Sequence, residues 1–287
     1  MRRAALAQLA VLALAATAYA SSGTTAGDEM QEIYRLSGLE AQVGALDRVV
    51  AASLIPNLSR VPAARAGVVR DAVLRAWSTP VLRQDVVDRL AKIHDPQHAA
   101  ETLRWLRSPL GRRISKLETH ATSAEGVQGL EAFSQQLRSH PPDATRLALA
   151  RALDQATGAT DFAVEVSLAS GRAAMSAVGA ASPEEKRLEP DKIEAAIEAQ
   201  RQRLHDQLAP ASLASTLFTY QSLSDSELET YLAFARGDAG RWYHDAVKQA
   251  LLGMLTDVSG RMGLTVATAL RAAPAPGGPT TPAHRAD

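Results

Sequence analysis

Apolar residues recur at steps of three and four along most of this chain, which is the spacing of one face of an α-helix. Residues 162–168 alternate as a strand would, but an isolated strand has no pairing partner, so we interpret them as helix. The pattern therefore predicts an all-α fold. The clearest apolar series are Ile33, Leu36, Leu39, Val43, Leu46, Val50 and Leu54; Ile114, Leu117, Ala121, Ala124 and Val127; and Ile193, Ile197, Leu204 and Leu208.

Helix start signals occur in the same order in both halves of the chain, which predicts a tandem duplication. Prolines suit the first helical turn, Asp95 is a predicted N-cap, and Ser224 with Glu227 forms a predicted capping box in the equivalent place. The series is Pro62, Pro80, Asp95 and Gly111 in the first half and Pro190, Pro210, Ser224 and Gly240 in the second.

The domain boundaries follow from these two series. We predict a two-lobed helical bundle in which residues 28–140 and 143–271 form two repeats of roughly five helices each. Residues 36–40 and 156–160 open the two repeats. The stretch from the glycine of this opening segment to the first proline of the repeat is longer in the second repeat (Gly158 to Pro190) than in the first (Gly38 to Pro62). We therefore predict an insertion at 171–189, with a helix that starts at 182–185. Residues 272–287, rich in proline and without an apolar period, are predicted to be disordered.

The strongest match between the halves is the segment 105–112, which aligns without a gap with 234–241. A helix ending near Arg107 is followed by Ser108 as N-cap and Pro109 in the first turn, which forces a tight corner between two helices. Gly111 then lies inside the second helix, where it costs about 1 kcal/mol relative to alanine. We therefore expect another backbone to pass close to this glycine.

The pattern Trp105-x-x-Ser108-Pro109-x-Gly111 resembles the F-Y-x-S-P-x-G element of the bacterial exported helical family known as domain of unknown function 2059. The resemblance covers roughly residues 30–130 and, more faintly, 145–265, where Gly237 and Asp238 replace the serine and proline. It implies an all-helical protein of the Gram-negative periplasm with no established activity, so it supplies no catalytic residue.

Aromatic and arginine side chains at the two corners form the candidate recognition site, with Trp105, Arg107 and Arg112 as its centre. The alternative is that they serve packing and surface charge. The corner residues that we single out are Trp105, Arg107, Ser108, Pro109, Gly111 and Arg112, with Phe234, Arg236, Gly240 and Arg241.

The first 20 residues have the three parts of a secretory signal peptide: the basic pair Arg2 and Arg3, the apolar stretch 4–18, and small residues at 18 and 20. The apolar stretch is shorter than the roughly 20 residues that a membrane span requires. We therefore predict cleavage before Ser21, export to the periplasm and no membrane span after cleavage. The chain contains no cysteine, so the mature protein has neither disulfides nor a lipid anchor at its start.

The amino-acid composition bears on the fold class and on the classes of partner that we expect. Aromatic residues make up only 4% of the chain, which favours closely packed helices over a β-sandwich. The full chain carries 31 basic and 31 acidic residues. Loss of Arg2 and Arg3 leaves a slight negative excess, so nothing favours nucleic acid or anionic lipid as a partner.

Candidate catalytic and metal-binding residues are few. His94 and His98 have the four-residue spacing of zinc ligands, and Glu101 follows them, but a helix starting at Asp95 leaves His94 outside it. The chain has no G-x-S-x-G, S-x-x-K or phosphate-binding glycine loop. The acidic residues in the predicted insertion are typical of the solvated face of a helix, namely Glu184, Glu185 and Glu189. We predict no metal or other cofactor and favour a non-catalytic protein.

Three functions remain open. The first is a non-catalytic protein of the cell envelope that binds a protein partner or itself through helix faces. The second is a carrier or sensor of a small apolar ligand, held between the lobes by residues such as Leu103, Trp105, Leu217 and Phe234. The third, ranked last, is a hydrolase of the cell wall or of peptides, which would need polar groups converging in a cleft.

Export gives the first testable prediction. Protein expressed from the full chain should be recovered from the periplasm with Ser21 as its first residue, as measured by N-terminal sequencing and intact mass. A chain that starts at Ser21 behind a new initiator methionine is the control and should stay in the cytoplasm. Recovery of a membrane-bound protein that retains residues 1–20 would instead indicate an anchor.

Overall fold

The computed structural model describes residues 25–44, 67, 70, 71, 74–181 and 189–271, and these contain helices but no strand. The all-α prediction is confirmed. The helices are α1 (Ala26–Leu36), α2 (Thr79–Lys92), α3 (Pro96–Arg107), α4 (Pro109–Ala121), α5 (Ala124–Ser139), α6 (Ala144–Thr157), α7 (Ala159–Ala181), α8 (Pro190–Glu198), α9 (Arg201–Thr219), α10 (Asp225–Arg236) and α11 (Asp238–Arg271).

Most of the predicted helix boundaries are confirmed. The Asp95 carboxylate accepts a hydrogen bond of 2.9 Å from the backbone N–H of His98, and Ser224 with Glu227 forms the capping box. Residues 162–168 lie inside α7, as interpreted. The placement of Pro210 in a first turn is wrong, because it lies in the middle of α9. The signal segment, Pro62, the start at 182–185 and the tail from 272 lie outside the described residues.

Three hydrophobic clusters form the core of the described residues. The smallest lies among α7, α8 and α9 of the second half, and the two larger ones contain helices from both halves of the chain. The first is built by α1, α2 and α3, together with the α11 residues Ala246, Ala250, Met254 and Val258. The second is built by α6, α10 and the turn at 220–223, together with Ile114 of α4. The helix that follows the corner of each half, α4 or α11, thus packs against the core of the other half.

The two halves of the chain also resemble each other in individual contacts at equivalent glycines. The two glycines with positive φ in the described residues are Gly38 and Gly158, which follow α1 and α6. Thr119 of α4 covers the first and Lys248 of α11 covers the second. These are features that a duplication would leave, although the duplication itself stays a prediction. The halves differ in the helix that follows the corner. α4 ends at Ala121 and α5 follows as a separate helix, whereas α11 is a single helix of 34 residues.

The two corners have the same geometry despite their different sequences. Ser108 has φ −67° and ψ 157°, and Gly237 has φ −69° and ψ 164°. In each corner an arginine of the second helix donates to a carbonyl at the end of the first, Arg112 to Arg107 and Arg241 to Arg236.

The expected close approach at the corner glycines is confirmed. A Cβ atom on Gly111 would lie 2.1 Å from the carbonyl oxygen of Trp105, and one on Gly240 would lie 2.0 Å from that of Phe234. The approaching backbone is the last turn of the preceding helix, so each glycine sets how sharply its corner turns.

The corner glycines give the second prediction. Gly111→Ala and Gly240→Ala should each lower the free energy of unfolding by about 1–3 kcal/mol, the usual cost of overpacking, as measured by urea denaturation. Gly171→Ala and Gly260→Ala are matched controls, because both glycines are helical and a Cβ there meets nothing within 4 Å. The controls should be neutral or gain up to about 1 kcal/mol. Equal effects at all four positions would contradict a packing role for the corners.

Candidate functional site

The two corners meet at one surface cleft of about 420 Å³, which we call the corner cleft. Both halves of the chain contribute to it, through the ends of α3 and α10 and the start of α11. Its lining residues are Glu101, Arg104, Trp105, Ser108, Phe234, Gly237, Asp238, Ala239 and Gly240.

Stacked aromatic rings border this cleft. Trp105 and Phe234 have ring centroids 4.5 Å apart and planes inclined by only 9°. Trp105 is also nearly parallel to Tyr231, at 5.8 Å and 13°. Trp105 packs against the two larger hydrophobic clusters, so it lies at their junction. The aromatic rings of the two corners therefore form one stack.

The corner arginines mainly hold the fold. Arg107 forms two hydrogen bonds with the Glu32 carboxylate, of 3.1 and 2.6 Å, which tie α3 to α1. Arg112 and Arg241 bond to the backbone of their own corners. The charges that line the cleft are those of Glu101, Arg104 and Asp238, which the sequence motif did not single out. For Arg107 and Arg112 the packing interpretation is thus the better one.

A half-buried carboxyl group, that of Glu118, lies next to the aromatic stack. The Oε1 atom of Glu118 accepts a hydrogen bond of 2.7 Å from the hydroxyl of Tyr220 and one of 3.2 Å from that of Tyr231. We call these three residues the carboxyl–tyrosine cluster. It connects α4 to the turn before α10 and to α10 itself, which are elements of opposite halves.

Two arginines hold the turn that carries Tyr220. Arg146 donates to the carbonyls of Tyr220 and Leu223, at 2.6 and 2.8 Å, and also pairs with Asp225. Arg113 donates to the carbonyl of Ser222 at 2.6 Å. Because its carbonyls are anchored, this turn presents Tyr220 to Glu118 in a fixed geometry.

Burial shifts the acidities of the cluster. It raises the pKa of Glu118 to about 7, although the hydrogen bonds from Tyr220 and Tyr231 oppose the shift. Burial also raises the pKa of both tyrosines well above the usual value. No arginine, lysine or histidine in the described residues contributes to the shift of Glu118. A carboxyl group in such a place favours its neutral form.

His244 of α11 lies next to this cluster, with its ring 6.4 Å from that of Tyr231 and 4.9 Å from that of Tyr243. Its Nε2 atom is buried and has no hydrogen-bond partner in the part of the chain that the structure describes. Burial, with a smaller effect of Lys248, lowers the pKa of His244 to about 4. The imidazole is therefore neutral at ordinary pH.

Sequence reasoning missed the carboxyl–tyrosine cluster, although one signal was available. Glu118 is four residues after Ile114 and three before Ala121, so it falls within the apolar stripe of α4. A charged residue in such a stripe is either solvated at the edge of the helix face or buried with partners. The partners, Tyr220 and Tyr231, are more than 100 residues away in the chain.

The predicted chemistry and ligand sites have mixed outcomes. His94 bonds to Glu29 at 2.7 Å and His98 stacks on Trp242 at 6.0 Å, so the two histidines have different partners. The described residues contain no group of three or more potential metal ligands. The four residues expected to line one apolar cavity do not line a common cleft, since Leu103 is buried in the first cluster and only Trp105 and Phe234 border the corner cleft.

Two further clefts occur in the described part of the chain, of about 420 Å³ beside Phe218 and about 550 Å³ beside Asp154. Neither they nor the corner cleft are lined by Glu118, Tyr220, Tyr231 or His244. None of the described helices combines the length and apolarity needed to cross a membrane.

No family model, curated protein or solved structure matches this chain. The resemblance carried by Trp105, Ser108, Pro109 and Gly111 therefore stays a prediction.

The carboxyl–tyrosine cluster gives the third prediction. The pKa of Glu118 is about 7 in the folded protein against 4.5 for an unperturbed side chain, so its contribution to stability is fully present below about pH 4.5 and is lost as the pH rises through 7. Glu118→Gln removes this dependence. Above pH 8 it should raise the free energy of unfolding by roughly 2–3 kcal/mol, and this gain should disappear towards pH 4.

Urea denaturation at a series of pH values measures this effect. Glu131→Gln is the matched control, because Glu131 is exposed on α5. The control should change the free energy of unfolding little at any pH. A gain for Glu118→Gln that is the same at pH 4 and pH 8 would show that Glu118 does not ionise in this range.

Proposed function

We propose that this protein is an exported, non-catalytic protein of the periplasm that binds another envelope protein at the corner cleft. The observation that carries the proposal is the meeting of both corner elements at one cleft with a stacked aromatic border. Elements more than 120 residues apart in the chain are brought together there, and the cleft is open to the surface.

The side chains of the cleft are those that contribute most in protein interfaces. Tryptophan and arginine are enriched among the residues that dominate binding energy, and buried aromatic anchors lie at the centre of such interfaces. Trp105 is held by its stacking on Phe234 and Tyr231, so little side-chain entropy is lost when a partner covers it. Arg104 and Asp238, of opposite charge and largely exposed, provide a polar rim.

A flat apolar docking face is less well supported. The exposed large apolar side chains among the described residues are Leu74, Val81 and Val127, which belong to separate helical segments. Isolated residues of this kind are normal on protein surfaces. The cleft therefore remains the better candidate for the binding site, whether the partner is another protein or a second copy of this chain.

Site-specific crosslinking in the periplasm gives the fourth prediction. A photoreactive phenylalanine analogue at Arg104 should give a discrete adduct, and the same analogue at Gln135 should not, because Gln135 is exposed on α5 and lines none of the three clefts. Asp238→Lys should weaken the adduct at Arg104, because it reverses a charge of the rim without removing a buried side chain.

The identity of the adduct distinguishes the alternatives. Another envelope protein supports the proposal as stated, and a crosslinked dimer supports self-association at the same site. Equal adducts from positions 104 and 135, or none from 104, would contradict a binding role for the cleft. Native mass spectrometry of the purified protein tests the carrier alternative, which requires a bound apolar molecule.

A further inference from the structure

A short chain of contacts runs from the corner cleft to the half-buried carboxyl group of Glu118. Phe234 and Trp105 line the cleft, Trp105 stacks on Tyr231, and the hydroxyl of Tyr231 bonds to Glu118. Only two side chains, Trp105 and Tyr231, thus separate the surface cleft from this titratable group.

The described residues around Glu118 offer it no counter-ion. The titratable groups that face it are Tyr220 from the turn after α9, Tyr231 from α10 and Tyr243 from α11, and all three are neutral hydroxyls at ordinary pH. His244 of α11, which adjoins Tyr231, is also neutral. An anion formed at Glu118 therefore depends on hydrogen bonds from hydroxyl groups for its stabilisation.

The two hydrogen bonds of Glu118 are unequal, and this sets the direction of the response. Hydroxyl groups donate to ionised carboxylates over about 2.5–2.7 Å. The bond from Tyr220 is already 2.7 Å long, and its turn is anchored by Arg113 and Arg146. The bond from Tyr231 is 3.2 Å long, so it is the one with room to shorten. Ionisation of Glu118 should therefore draw Tyr231 towards Glu118 and away from the position in which it stacks on Trp105.

We infer that pH regulates the corner cleft. Glu118 is the titrating group, and a movement of Tyr231 transmits the change in the charge of Glu118 to Trp105. The inference rests on the proposed function for its biological meaning, because it concerns the same cleft. The coupling between Glu118 and Trp105 is a property of the protein alone and is measurable without a partner. Because burial brings the pKa of Glu118 to about 7, the transition is expected near pH 7.

Fluorine NMR of protein labelled with 5-fluorotryptophan tests the coupling directly. The chain has three tryptophans, so each signal is assigned by one tryptophan-to-phenylalanine substitution. The signal of Trp105 should move with a midpoint near pH 7. Trp242, which stacks on His98 and is not in the stack of Trp105, is the internal control.

Two variants identify the titrating group and the pathway. Glu118→Gln should abolish the transition at Trp105 and leave the pH dependence of the Trp242 signal as it is in the wild-type protein. Tyr231→Phe should also abolish it, while Glu118 keeps its bond from Tyr220. A transition at Trp105 that persists in Glu118→Gln, or a wild-type signal without a transition, would overturn the inference. If Tyr231→Phe fails to fold, Glu118→Gln alone decides the result, since it retains the buried hydrogen bonds.

The consequence for binding is measured separately, with the crosslinker at Arg104. The yield of the adduct should differ by about fivefold or more between pH 6 and pH 8.5, a typical coupling between two sites, and should not differ in Glu118→Gln. A constant yield in the wild-type protein would overturn regulation of the cleft while leaving the proposed function intact. The absence of any adduct would instead contradict the proposed function, and the fluorine signal would still decide the coupling.

Discussion

The stacking of Trp105 on Phe234 and Tyr231 is the contact on which the other features of this structure depend. Trp105 lies in the last turn of α3 in the first half of the chain, and the other two rings belong to α10 in the second half. Around this contact the helix that follows the corner of each half packs against the core of the other half. The two halves therefore bury their apolar surface together, and the corner cleft exists only because they do so.

Aromatic residues are scarce in this protein, and their distribution is uneven. Five of the twelve Phe, Tyr and Trp residues belong to the stack or adjoin Glu118, namely Trp105, Tyr220, Tyr231, Phe234 and Tyr243. The first core holds aromatic rings as well, the buried Tyr34 and Trp77, among leucine, valine and alanine side chains. Amphipathic rings suit an apolar junction that must also accommodate hydroxyl groups. The tyrosines at the junction of the two halves therefore combine packing with hydrogen bonds to Glu118.

The sequence predicts the local features of this fold and misses those that depend on distant residues. The caps at Asp95, Ser108 and Ser224 were predictable because each bonds to the backbone three residues later. Pro210 was misplaced because proline favours first turns but is tolerated within a helix where its ring is exposed and water can bond the freed carbonyl, as on α9. The bonds of Glu118 join residues 102 and 113 positions apart, so no local pattern could reveal its partners.

The pKa values of Glu118 and His244 are shifted in opposite directions. Together they define the pH range in which the junction beneath Trp105 is uncharged. Burial raises the pKa of Glu118 to about 7 and lowers that of His244 to about 4. Between these values both groups are neutral, so the interior beneath Trp105 carries no net charge and its hydroxyl hydrogen bonds suffice. Above this interval an unpaired anion forms on α4, and below it an unpaired cation forms on α11. The two charges would arise on helices from opposite halves, so each would act at the junction that holds the halves and the cleft together.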